Sequence, residues 1–472
     1  MTRLVLLVHR YAGIALCLLV AAWCLSGIGM MYVRYPSLDE TERLRGQRLL
    51  DFTGCCRSTP ATIAGDTPLS GFRIEMLADR PVLRLHGILG DDSTLDLRTG
   101  EFLGPLSASL ATAVAATHAA TLGSRRPPRL LGAIDFDQWT VSGFGDHRPL
   151  YHFALDDHAG TELYVSGVTG EVVQRTAARQ RFWNYFASIP HWIYFTTLRE
   201  RPATWAQVVI WTSTAGVLLI ITGLYVGWMR WQGRPPSRAS PFRGVALWHH
   251  LAGLLFGVLA LTWMASGLLS MNPWGLLEGP GEGGERERLA ALTPTTAQAL
   301  AVVEALRVGG AGYRAIDSAP LAGRLFVVGA DGERRQRLDL ALRPSALTAA
   351  ELTQAAANLQ PGVPVRSAEW LDAEDGYYYS HHVAAPLPVF RVIVGDAEAT
   401  RYYLDASDGA LLRKLDHDAR WSRWLFSAPH QWDFATILRR RPVWDVVVMA
   451  LLSGLVVLSL SGVWMAVRYV TR

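Results

Sequence analysis

One stretch constrains this chain more than any other: His9 to Gly27, HRYAGIALCLLVAAWCLSG, which recurs at His249 to Gly267 as HHLAGLLFGVLALTWMASG. The overlay pairs His9 with His249, Gly13 with Gly253, Trp23 with Trp263, and Ser26-Gly27 with Ser266-Gly267. Each copy is long and apolar enough to cross a bilayer as a helix, which takes about 20 residues. Each therefore sets one imidazole near the start of a membrane helix, with a glycine one turn further along the same face.

Composition agrees with a membrane chain. Apolar residues make up 50% of it and charged ones 18%, and there are 17 Trp. A net charge of +4 over 472 residues, spread along the chain, gives no basis for nucleic-acid binding. Cys17 and Cys24 fall within the first span and Cys55-Cys56 are adjacent, so no disulfide framework is expected and the vicinal pair reads as incidental. Arg3 gives the first segment a short basic start, but its apolar run continues to about Val33 with no small-residue cleavage site, so it reads as an uncleaved span over 1–33.

A polar region follows at 34–181, in which FRIEML (72–77), VLRLHG (82–87) and ELYVSG (162–167) alternate as strands do. Gly100 in DLRTGE and Gly170 in SGVTGE sit where hairpins need a positive φ, and Ala-rich 106–122 reads as a helix. An aromatic segment at 182–204, FWNYFASIPHWIYF at its heart, suits the membrane–water interface and leads into a second span at 205–229. The loop 230–244 holds four Arg and no acid, which marks it as cytoplasmic. A third span at 245–271 leads to a second polar region at 272–420. There, GPGEGGERER (279–288) reads as a linker, strands are expected near 324–328, 336–341, 388–394 and 401–404, and a helix near 347–359, with DASDG (405–409) as a hairpin. A second interfacial segment at 421–442, a fourth span at 443–467 and a tail at 468–472 complete the chain. The spacing predicts four membrane helices in two tandem repeats, with both termini cytoplasmic and an α+β domain outside the membrane in each half.

A second internal match supports the repeat. IPHWIYFTTLRERP (189–202) parallels APHQWDFATILRRRP (428–442), pairing Pro190-His191 with Pro429-His430. With HRYAG and HHLAG opening spans one and three, YYYSHHVAAPLPVFRV at 377–392, RYYLDASDGALL at 401–412 and RWLFSAPHQWDF at 423–434 followed by RRRPVWD, the chain resembles the PepSY-associated transmembrane family over nearly its whole length. That family includes iron-regulated membrane proteins and inner-membrane ferric-siderophore reductases. The resemblance implies periplasmic PepSY-type α+β domains and, in the reductase members, haem b. The first half departs from the second, with Trp139-Thr140 where the second has Tyr378-Tyr379.

Ionisable residues at membrane depth are costly and point to function. A solitary interfacial histidine needs no ligand; two at equivalent repeat positions, each with a glycine at i+4, favour axial ligation of a haem by His9 and His249, with Gly13 and Gly253 lining it. His250 points about 100° away on the helix and ranks behind His249. His191 and His430 are the expected ligands of a second haem at the periplasmic side; the bland alternative is an interfacial Pro-His turn. Arg199, Arg201, Arg439, Arg440 and Arg441 suit haem propionates or lipid head groups. His147, His152 and His158 with Asp156 and Asp157 do not share a strand face and make no metal site; for His381-His382 beside Tyr377 to Tyr379 the bland reading also leads. The expectation is an inner-membrane di-haem b reductase passing electrons from a quinol or a separate cytoplasmic reductase to a periplasmic acceptor, ferric-siderophore iron foremost. Its rival is a non-enzymatic membrane anchor that binds a periplasmic peptide or protein.

Overall fold

In the computed structural model, the described residues are 2–56, 66–232, 240–277, 281–309, 312–381 and 384–471. They fall into two compact units, one of residues 1–35, 179–279 and 418–472, the other of 36–178 and 280–417.

The first unit holds four helices long and apolar enough to cross a membrane: Thr2–Met30, Pro202–Trp231, Val245–Leu269 and Val443–Val470, called spans one to four. The chain is a membrane protein. Spans one and three each pack against both two and four. Small residues let the helices approach closely: a side chain at Gly216 would meet Met264, one at Gly257 would meet Leu224, and one at Gly454 would meet Phe256. Spans two and four are preceded by short helical turns, Ser188–Trp192 and Ala428–Gln431, each ended by a non-glycine residue in the left-handed region, Ile193 at φ 51° and Trp432 at φ 56°.

The second unit is β-rich. Its first polar region supplies β1 (Leu69–Leu77), β2 (Arg80–Gly87), β3 (Ser93–Asp96), β4 (Glu101–Phe102), β5 (Arg129–Ile134), β6 (Leu150–Ala154), β7 (Glu162–Ser166) and β8 (Val172–Thr176). The second supplies β9 (Ala315–Leu321), β10 (Arg324–Ala330), β11 (Arg335–Leu338), β12 (Val365–Leu371), β13 (Val389–Val394), β14 (Arg401–Asp405) and β15 (Leu411–Leu415). Strands β5 to β8 and β12 to β15 form two four-stranded antiparallel sheets in chain order. Each is covered by an alanine-rich helix, Ala108–Thr121 on the first and Ala349–Ala356 on the second, whose small side chains lie in the core with Phe153 and Leu163, or with Phe390 and Tyr402.

The remaining strands join across the two regions. β1 pairs antiparallel with β9, Ile74 opposite Ile316, which makes one seven-stranded sheet in the order β11-β10-β9-β1-β2-β3-β4. Side-chain alternation predicts strands but not which strands meet, so this pairing goes beyond the sequence reading. At its centre Glu75 is fully buried between two arginines, Arg84 Nε at 2.6 Å and Arg43 Nη1 at 2.9 Å. The two guanidinium groups hold its carboxyl far below the usual carboxylate range despite the burial.

Two expectations are corrected. The linker expected at 279–288 is helical in its later part: Gly283–Ala290 forms a helix whose Glu285 pairs with Lys414 at 2.9 Å, a contact that composition does not reveal, while 279 and 280 lie outside the described residues. Cys55 and Cys56 are not incidental but form a disulfide, which adjacency made improbable. The helix Thr296–Gly309, which supplies Ala299, Val302 and Leu306 to the core, went unread because its apolar face is diluted with alanine.

His118 is buried in the Ala108–Thr121 helix, and desolvation, aided by Arg175 and Arg43, pushes its pKa down from 6.5 to about 4. The folded state thus excludes a proton that the unfolded chain takes up. The stability this neutral imidazole allows is complete above pH 6.5 and is lost as pH falls toward 4. We expect His118→Gln to flatten the acid limb of a denaturant-monitored stability profile by up to about 3 kcal/mol over that window; parallel limbs in the two proteins would contradict it.

Candidate functional site

The bundle brings the four expected histidines together as two pairs. His9 on span one and His249 on span three have ring centroids 6.4 Å apart, and His191 and His430, on the turns before spans two and four, are 6.1 Å apart. Each pair takes one residue from each half of the chain. Span one connects the two levels, His9 near its start and Ser26, which touches His191, near its end. Seventeen residues at 1.5 Å each put them about 25 Å apart, most of a hydrocarbon core of about 30 Å.

All four rings are held the same way, by Nδ1. His9 Nδ1 lies 3.1 Å from the Leu219 carbonyl oxygen, and His249 Nδ1 lies 3.2 Å from that of Leu458 and 3.1 Å from Ser461 Oγ. His191 Nδ1 lies 3.1 Å from Ser26 Oγ and His430 Nδ1 3.1 Å from Ser266 Oγ. A carbonyl can only accept. The serines donate their own protons to carbonyls three residues back, Ser26 to Trp23 at 3.2 Å, Ser266 to Trp263 at 3.0 Å and Ser461 to Leu458 at 2.8 Å, so toward the imidazole they accept as well. Every Nδ1 therefore carries the proton and every Nε2 carries a lone pair, with no hydrogen-bond partner for it among the described residues. That tautomer is the one a metal requires of a histidine bound through Nε2.

A glycine faces each ring, but only one is sterically required: a Cβ at Gly223 would stand 2.7 Å from His9 Cε1, whereas one at Gly462 (3.5 Å from His249), Gly27 (3.6 Å from His191) or Gly267 (3.5 Å from His430) would make ordinary contact. These four glycines each follow a hydroxyl residue: Ser26-Gly27, Thr222-Gly223, Ser266-Gly267 and Ser461-Gly462. The sequence reading noticed two of the dipeptides as repeat matches and missed their recurrence in spans two and four, where the signal was present. Gly13 and Gly253 face leucines of the neighbouring spans rather than a ring, a Cβ there standing 3.8 Å from Leu219 Cδ1 and 3.7 Å from Leu458 Cδ1.

His250 is occupied differently: its Nε2 lies 3.0 Å from the Gly227 carbonyl oxygen, which makes Nε2 the protonated nitrogen. His147 meets Ser166 Oγ at 3.2 Å, and His152 meets Glu162 at 2.9 Å while stacking on Tyr164, so both are satisfied within the β-rich unit. His381 packs edge-on against Tyr379, and His382 lies outside the described residues. The arginines divide. Arg199 covers the rings of Tyr194 and Trp205, Arg439 reaches the Asp433 carbonyl at 3.4 Å, and Arg441 donates to the Met31 carbonyl at 2.7 Å; Arg201 and Arg440 are exposed.

Around His430 lies a charged pair that sequence reasoning missed. Arg423 Nη1 pairs ionically with the Asp433 carboxylate at 2.7 Å and its Nη2 donates to the Asp433 carbonyl at 2.9 Å, both residues being buried, and it bridges the turn that carries the histidine. The residue at the same place in the first half is Asn184, also buried, which donates to the Arg34 carbonyl at 3.0 Å. Among the described residues no group of three or more His, Cys, Asp or Glu could hold a bare metal ion. Two facing imidazoles suit a metal whose remaining donors come from a planar macrocycle: two metal–nitrogen bonds of about 2 Å plus half a ring at either end add up to the observed centroid spacings. The chain matches no family model and no curated protein.

Asp433→Ala would leave Arg423 buried without its counter-charge. A loss of about 3–5 kcal/mol is expected, seen as earlier thermal aggregation in detergent, with most of it recovered in Arg423→Met/Asp433→Leu; an unaltered single variant would mean the pair is hydrated.

Proposed function

We propose that the protein is a di-haem b membrane reductase of the PepSY-associated transmembrane kind, carrying electrons across the inner membrane to a periplasmic acceptor. The observation that carries this reading is the pair of histidine couples at opposite ends of one bundle, each with Nδ1 protonated and held and Nε2 free to ligate. Haem with two imidazole ligands exchanges one electron at a time and needs no open coordination position. The chain's own contribution is rigidity. Backbone carbonyls and serines fix ring orientation, Gly223 leaves room beside His9, and the apolar helices exclude water. Arg201 and Arg440, exposed beyond the second couple, are the guanidinium groups best placed in the sequence to meet propionates.

The four arginines of 230–243 and the basic tail support a cytoplasmic side for both termini and for the His9–His249 couple, where a quinol or a separate reductase would donate. The polar regions, inserted between spans one and two and between three and four, then belong to the periplasm. The acceptor favoured by the resemblance is ferric iron in a siderophore: one electron converts ferric to ferrous iron, which hard oxygen ligands hold less tightly.

Purified protein should carry two haems, with a Soret band that sharpens and shifts on dithionite; a colourless preparation would favour an anchor that binds a peptide or protein. His9→Ala and His249→Ala should each lose one haem and spare the other. His430→Ala should still accept electrons at the cytoplasmic site but fail to reduce a ferric chelate added outside, and wild-type rates in that variant would place the exit elsewhere. Gly13→Leu or Gly253→Leu should lower haem content without impairing insertion, unless these glycines serve only helix packing.

A further inference from the structure

Each couple is built from matching residues of the two halves, so its surroundings are close to twofold symmetric. At His9 and His249 the match is detailed: Gly13 answers to Gly253, Leu219 to Leu458 and Gly223 to Gly462. A macrocycle whose edge groups are unevenly arranged, as those of haem b are, can enter such a site in two orientations that exchange its faces. A strictly twofold site would hold both equally, because each orientation presents to one half what the other presents to its counterpart.

The repeat breaks a little further into the bundle. Phe256 follows His249 by seven residues, which places it within about 20° of the same helix face and about 10 Å further along span three, toward the second couple. The tip of its ring points at Gly454 of span four, where an added Cβ would stand 2.5 Å from Cε1 and Cε2 and closer still to Cζ. A packed ring cannot yield as the end of a flexible side chain can, so this seat needs a glycine. The first half holds Leu16 and Ala215 at the equivalent positions, an aliphatic chain and a methyl group. An aromatic ring prefers another π system to an aliphatic group. Reversing the macrocycle exchanges a vinyl for a methyl group along its apolar edge, so a ring on one side only distinguishes the two orientations.

Resting on the two-haem reading, we infer that Phe256, seated on Gly454, is a positioning residue that gives the haem of the His9–His249 site one preferred orientation. The histidines hold the metal without distinguishing the two halves, and the ring supplies the distinction.

Paramagnetically shifted haem-methyl resonances of the oxidised full-length protein in detergent test this, since each orientation gives its own set. The resonances of this site are those absent from His249→Ala. In the wild type one set should outweigh the other by about three- to tenfold, the population ratio that one aromatic contact supports. Phe256→Leu/Gly454→Ala, which copies the first half into the second, should keep the haem and bring the two sets toward equality. Leu16→Phe/Ala215→Gly, which leaves the resident ring in place and adds its twin, should do the same. Combining both variants moves the ring to the other half and should exchange the major and minor sets. Equal sets in the wild type, or a dominant set unmoved by these variants, would overturn the inference while leaving the two-haem reading intact. Protein without haem would overturn both.

Discussion

The bond from histidine Nδ1 to an oxygen on a neighbouring helix decides most of what this membrane unit can do. A histidine on a lone helix rotates, and either nitrogen can carry its proton. Here the oxygen belongs to another element in every case, so the tautomer is fixed only when the helices are packed. Span two must pack on span one for Leu219 to meet His9, and span four on span three for Leu458 to meet His249. The turns before spans two and four must fold back for His191 and His430 to reach Ser26 and Ser266. Helix packing and the choice of imidazole tautomer are therefore one event. In a bilayer, where apolar association gains little between helices, such polar contacts also contribute to holding the spans in register.

Much of this was legible in the sequence, for a specific reason. An imidazole in a membrane span is rare, and its recurrence at a fixed offset together with a glycine marks a position rather than an accident. The four spans followed from apolar length, and seven of the fifteen described strands from side-chain alternation. What the sequence did not reveal was partnership. The meeting of β1 with β9 joins residues some 240 positions apart, and nothing in the alternation of FRIEML distinguishes a strand that ends a sheet from one that continues another region's sheet. The left-handed Ile193 and Trp432 are likewise invisible, because β-branched and bulky residues at positive φ run against local propensity and are held there by their surroundings. The hydroxyl-glycine dipeptides were legible but unread, since serine and threonine commonly bond back to their own helix and so raise no alarm in a span.

Charge in the β-rich unit was hard to read for a different reason. Glu75 occupies an alternating strand pattern, where a carboxylate is expected to face water; it is buried because Arg43 and Arg84 arrive from elsewhere in the fold. Removing a buried charge from water is expensive unless it is paired and hydrogen-bonded. The burial of Glu75 therefore needs both the neighbouring hairpin strand, which supplies Arg84, and the helix that supplies Arg43, a conjunction that a one-dimensional pattern cannot contain.

Each histidine couple takes one member from either half of the chain, and this limits how the halves can diverge. A change that shifts one half against the other alters both couples together, because spans one and three carry a histidine or its serine at each level. Away from the couples the constraint relaxes. His152 stacks on Tyr164 in the first half where Tyr378 stacks on Tyr403 in the second, and Asn184 stands where the second half has Arg423. Yet Tyr164 and Tyr403 both donate to an aspartate, Asp137 at 2.7 Å and Asp375 at 2.8 Å, so the scaffold persists while its outward chemistry differs. Divergence of this kind suits a chain whose two histidine couples each need a matching residue from either half. The regions between the spans carry no such demand, and there the two copies are free to present different surfaces.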